Sequence, residues 1–176
     1  GIAASRLGAT HVVLTDIGYC LGALRDAVDA NCRQCAPAGG GSCSVEVAEL
    51  DWARPEAFLA GRPADEHFDL VVAADVIWLA ELVEPLVAAL GAVLSRSPKA
   101  EAVIAHQTRS ARVEESFLEA AHARGLALAW TLPGGRGTSE ASSAQGMDAP
   151  PLAWHPDFRP DHRLKLWGFR LAPAQS

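Results

Sequence analysis

Phe68-Asp69-Leu70-Val71-Val72-Ala73-Ala74-Asp75-Val76-Ile77-Trp78 is the stretch whose reading decides the fold. Leu70 to Ala74 is a continuous apolar run with no alternation. Such a run reads as a strand buried on both faces, in the middle of a parallel sheet. It stops abruptly on a carboxylate. In open α/β sheets, ligands sit just beyond the carboxyl ends of the strands, which places Asp75 where such a fold does its chemistry. Asp75 is equally an N-cap candidate for the helix that follows. The two roles are compatible.

Working outward, strands and helices alternate. Residues 1–8 make most of a helix closed by Gly8 at the C′ position, and His11 to Asp16 is a short apolar strand. Residues 20–35 are helical by the spacing of Leu21, Leu24, Ala27 and Val28. Ala36 to Ser42 is a loop, Ser44 to Leu50 a strand, and 53–67 a short helix and loop carrying Pro55, Gly61 and Pro63. After the 68–74 strand, residues 79–95 form an amphipathic helix whose first turn Pro85 kinks or offsets. Ala100 to His106 is a strand, 111–124 a helix and Leu126 to Leu132 a strand. Residues 134–162, rich in Gly, Ser and Pro, read as a flexible insertion before a last strand from Leu164 to Leu171. The pattern predicts an α/β fold, a parallel sheet with helices on both faces. The final two strands, joined without a helix, pair antiparallel. The expectation is a single domain over 1–176.

Composition narrows the class. The 176 residues are 49% apolar, enough for one sizeable core, and the formal net charge of -6 argues against a general nucleic-acid binder. No apolar run reaches the roughly 18 residues of a membrane span. The chain opens on Gly1-Ile2-Ala3-Ala4, already inside a helical pattern, and so reads as truncated, with the N-terminal part of the fold missing. Of the cysteines, Cys32 and Cys35 form a C-x-x-C, yet no second pair completes a metal site and the pair does not open a helix. Reduced thiols, no metal, a monomer and a cytoplasmic location, with the nucleus as the alternative, are expected.

Successive strands end on acids, at Asp16, Asp51 and Asp75. A carboxylate after the second strand of a nucleotide-binding half accepts hydrogen bonds from ribose hydroxyls, and Asp16 fits that role. Gly1, 15 positions upstream, is a candidate last glycine of a cofactor loop. Nicotinamide cofactors and S-adenosylmethionine (AdoMet) both need such an acid; the terminal antiparallel hairpin favours AdoMet.

The stretches LGATHVVLTD, AELDW and FDLVVAADVIW, with Arg109…Glu115-x-Phe117, resemble the seven-strand, Rossmann-like AdoMet-dependent protein-lysine methyltransferases called family 16. The resemblance covers roughly residues 1–132. It implies a glycine-rich loop before the first helix, a ribose acid at Asp16, and an adenine-packing tryptophan at Trp52 of Leu50-Asp51-Trp52. It further implies an Asp-x-x-aromatic motif at Asp75-Val76-Ile77-Trp78, where tryptophan stands in place of the family's Tyr or Phe. Trp78 keeps an aromatic wall and lacks a phenol hydroxyl.

The implied activity is AdoMet-dependent N-methylation of a protein lysine. Asp75 and Trp78 would act on the amine, and Gly1, Asp16, Asp51, Trp52, Ala73 and Ala74 on the cofactor. Methylation of a small molecule or a protein histidine, or a truncated fold that only binds partners, are the alternatives. Each residue also has a plainer reading. Trp52 is a core tryptophan, Ala73 and Ala74 serve tight helix–sheet packing, and Trp78 is the first apolar anchor of the next helix. Arg109 and Glu115 read as a surface pair in preference to a substrate-loop contact, and His106 as a structural histidine at a strand end.

Overall fold

The computed structural model describes residues 2–32, 43–132, 135–136 and 163–172. It divides into two compact units, Gly1–Ala64 and Asp65–Ser176, each of which is described by itself.

In the first unit, helix α1 (Ile2–Arg6) is followed by strand β1 (His11–Asp16). Gly8 has φ +100°, and Ala9 N–H donates to Ala4 O at 3.1 Å. This is the left-handed stop expected of a glycine at C′. Strand β2 (Ser44–Glu49) runs parallel to β1, with His11 opposite Ser44 and Asp16 opposite Glu49. Parallel neighbours need a crossover, which helix α2 (Leu21–Cys32) provides after a 3-10 turn at Gly18–Cys20. Helix α3 (Pro55–Ala60) opens on a proline. The missing N–H costs nothing there, because it would have no helical partner. The 36–42 loop lies outside the described residues.

In the second unit, β3 (Leu70–Ala74) pairs parallel with β4 (Glu101–Gln107) through α4 (Val83–Arg96). Helix α5 (Ala111–Ala123) leads to β5 (Leu126–Leu132). A two-residue β6 (Gly135–Arg136) and then β7 (Leu164–Leu171) complete a sheet of order β3-β4-β7-β5-β6. The expected antiparallel pairing is present, and β7 is antiparallel to both β4 and β5. The rest of the 134–162 insertion lies outside the described residues. Pro85 stands in the first turn of α4, where it interrupts no helical bond.

The placement of the helices corrects one expectation. Helices α4 and α5 pack on each other and cover the same face of this sheet. Their buried side chains, Leu86, Val87, Leu90, Leu94, Phe117 and Ala121, share the core with Ala102, Ile104, Trp167 and Phe169. On the opposite face, Leu70 is 52% and Val72 60% exposed. So β3 is an edge strand of its unit with one open face, and not a central strand buried on both. An unbroken apolar run supplies apolar groups to two faces; it cannot say that the unit's own helices cover both.

The aromatic side chains fix the core. Phe117 stacks on Trp167 at 6.0 Å, and Phe169 meets both edge-on, arrangements that add to the burial of the rings. On the other face of β7, Trp130 lies across Gly168 and donates Nε1–H to Glu101 Oε1 at 2.9 Å. A Cβ at Gly168 would stand 2.1 Å from Trp130 Nε1. Gly168→Ala is therefore expected to lose about 1–3 kcal/mol of stability, the usual cost of overpacking, read as a lower urea midpoint; an unchanged midpoint would show that Trp130 moves aside freely.

Candidate active site

The candidate residues fall in both units. In the first, β1 and β2 end side by side. Asp16 is exposed, and its Oδ1 accepts from Ile17 N–H at 2.8 Å. Burial pushes the Cys20 thiol up, and the charge of Asp16 and a hydrogen bond to it add to the effect. Cys20 is therefore no activated nucleophile. Asp51 is more committed: Oδ1 accepts from Ala53 N–H at 2.9 Å and Oδ2 from Arg54 Nε at 3.0 Å. The Ala53 bond, then Arg54, hold its carboxyl below the usual range. Asp51 thus locks the turn that carries Trp52, whose side chain is half-buried and not a core tryptophan. Sequence reasoning missed Glu49, which sits opposite Asp16 and brings Oε1 to 3.1 Å from where a Gly18 Cβ would be. Gly1 lies outside the described residues.

In the second unit, Asp75 has φ +56°, the one positive-φ non-glycine among the described residues. Aspartate tolerates the left-handed region better than most side chains, and such strain concentrates at functional positions. Its N–H donates to Ala105 O at 2.9 Å, so the exit from β3 is pinned to β4. Asp75 caps no helix. The 3-10 turn Ala80–Leu82 has Leu79 at its N-cap, and α4 has Leu82. The carboxylate is paired with Arg109 instead. Arg109 therefore lies at the surface, as expected, but its partner is Asp75, 34 positions back along the chain, and not Glu115.

Ile77, 2% exposed, is the apolar anchor of this segment, while Trp78 is 51% exposed. Trp78 is therefore available to a ligand, contrary to its plainer reading. Ala73 is half-buried and Ala74 exposed, so Ala74 serves no tight packing.

His106, at the end of β4, is buried, with its ring 5.3 Å from Trp167. Nε2 lies 3.2 Å from Glu114 Oε2. Glu114 also accepts from Thr108 Oγ1 at 2.7 Å and from Lys165 Nζ. Burial pushes the imidazole below its ordinary 6.5, against the pull of Glu114. Burial pushes Glu114 up, but Lys165, Thr108 and His106 together hold it below its ordinary 4.5. A neutral His106 donates Nε2–H to the carboxylate, which leaves Nδ1 buried without a partner among the described residues. His106 thus belongs to a buried network whose other members the sequence did not reveal. Among the described residues no group of three or more His, Cys, Asp or Glu side chains could hold a metal ion, and no helix is long and apolar enough to cross a membrane.

The exposed acids Asp16, at the end of β1, and Asp75, just past β3, each lie at the kind of strand end where α/β folds bind ligands. The sequence profile of the family described as lysine methyltransferase matches residues 1–124, and the chain belongs to that family; the protein is a methyltransferase. Among solved structures, it is similar to a Thermoplasma acidophilum protein provisionally assigned as a methyltransferase. That similarity has 13% identity and a TM-score of 0.45, over 94% of this chain and 70% of the other. Comparison with curated proteins finds no match.

The depressed His106 and Glu114 make acid stability a test of the network. A histidine whose folded pKa is lowered leaves the unfolded state binding more protons, so stability falls as pH drops below the ordinary value of 6.5. Glu114 adds a second loss below about 4.5. Urea unfolding across pH should show both declines in the wild type, and His106→Gln should lack the upper one. A variant with the wild-type profile would place the titrating group elsewhere.

Proposed function

We propose that the protein is an AdoMet-dependent protein-lysine N-methyltransferase with Asp75 at its reactive centre. The observation that carries this reading is Asp75 itself: an exposed carboxylate at the end of a strand, in a left-handed conformation, followed by the exposed Trp78. Family membership supplies the reaction class.

The residues suit the cofactor's chemistry. Asp16 is an exposed acceptor for vicinal ribose hydroxyls. Trp52 offers a half-buried ring against which a purine can pack, and Asp51 acts by holding the turn beneath it. Ala73 and Ala74 keep the end of β3 free of bulk. When bound, AdoMet supplies an electrophilic methyl on a sulfonium. The work left to the chain is alignment and exclusion of water.

Asp75 accepts an N–H of the incoming lysine and sets its direction. Trp78 walls the lysine approach with an apolar face or faces the sulfonium, where a cation–π contact is worth about 0.5–2 kcal/mol. An apolar wall also disfavours the ammonium, whose unperturbed pKa is about 10.4, so the proton leaves to water.

Asp75→Asn tests this assignment. Asparagine also tolerates the left-handed backbone, so the fold and cofactor affinity should survive. Methylation should drop at least ~100-fold, equivalent to about 2.7 kcal/mol of barrier. The assay follows radiolabel from AdoMet into proteins of a lysate lacking the endogenous activity. Base-resistant label on lysine supports the reading; label on histidine or small molecules supports those substrates instead. Absence of label points to a binding protein, and an undiminished Asp75→Asn removes Asp75 from the centre.

A further inference from the structure

Asp75 poses a difficulty for the chemistry just proposed. Only a neutral amine has the lone pair that attacks a methyl group, yet a bare carboxylate beside a lysine favours the ammonium. The structure sets a cation against that carboxylate. Arg109 Nη2 donates to Asp75 Oδ2, while Oδ1 has no hydrogen-bond partner among the described residues.

The backbone of Arg109 sits between two anchored residues. Its neighbour Thr108 donates N–H to Arg163 O at 3.0 Å and Oγ1–H to Glu114. On its other side, Ser110 caps α5 by accepting from Val113 N–H. The side chains of Arg109 and Asp75 are each about half exposed, so an incoming lysine can reach them, and an ion pair this open adds little to stability. Among the described residues, the other ionisable groups at this corner are His106 of β4, Glu114 of α5, Lys165 of β7 and Arg163 just before it. Glu114 and Lys165 neutralise one another, with His106 bonded to the same carboxylate. The charge of Asp75 is met by Arg109.

We propose that Arg109 is a positioning residue: it compensates and orients the Asp75 carboxylate, leaving Oδ1 to accept an N–H from an unprotonated primary amine. The site thereby selects the reactive form of lysine and does not trap the ammonium. This deepens, and rests on, the reading of Asp75 as the acceptor for the amine.

The test compares the wild-type chain with Arg109→Gln, Arg109→Lys and the double variant Asp75→Asn/Arg109→Gln. The probe is n-butylammonium at neutral pH, its binding followed by NMR shift titration. Freed from Arg109, Asp75 should bind the cation about tenfold more tightly, the equivalent of one pKa unit. The double variant should lose that gain, and Arg109→Lys should stay near wild type. On a lysine-bearing protein substrate, Arg109→Gln should lower KM and kcat together, and the acid limb of its kcat–pH profile should move up by about one unit. Equal n-butylammonium affinity in wild type and Arg109→Gln would overturn the proposal whatever the activity. A wild type that leaves lysine unmethylated but shows the binding change would retain the Arg109–Asp75 relation and refute the lysine reaction instead.

Discussion

The pairing of β7 with β4, which sets His106 opposite Lys165 and Gln107 opposite Leu164, is the constraint on which the Asp75–Arg109 end of the second unit depends. It delivers Lys165 to Glu114, and Glu114 gathers Thr108 and His106. With Thr108 anchored on one side and the Ser110 cap on the other, Arg109 has little freedom of position. Asp75 comes from the other neighbour of β4, its backbone pinned to Ala105. Two chain segments far apart in sequence thus meet at the end of one strand. Neither the carboxylate nor the guanidinium is placed by its own local structure.

That division explains what the sequence could and could not disclose. The spans of β1 and β7 match their expected bounds because their apolar residues are closed by turn formers or a change of pattern. Gly8 was legible as a helix stop because only a residue without Cβ takes φ +100° freely. Antiparallel pairing of the last strands followed from the lack of a helix between them. Local signals also put acids at strand ends.

The Arg109–Asp75 pair spans 34 positions and the Lys165–Glu114 pair 51, and no periodicity encodes such distances. The exchange of roles between Ile77 and Trp78 was hidden for a different reason. Both residues are apolar, and only the turn out of β3 decides which of them faces inward. Likewise, the open face of β3 depends on α4 and α5 sharing one side of the sheet, a tertiary choice that an apolar pentapeptide does not carry.

If Asp75 has the proposed role, it is kept for chemistry and not for folding. A left-handed non-glycine residue costs roughly 1–3 kcal/mol, and the exposed pair with Arg109 returns about 0–1 kcal/mol. A position whose local geometry opposes its residue, without a compensating structural gain, is where function is expected. Urea denaturation of Asp75→Gly tests this most directly, because glycine removes the strain and the carboxylate together. Its stability should equal or exceed that of the wild type, within about 1 kcal/mol. A loss of more than about 2 kcal/mol, the size associated with breaking a buried structural interaction, would show instead that the fold needs this carboxylate.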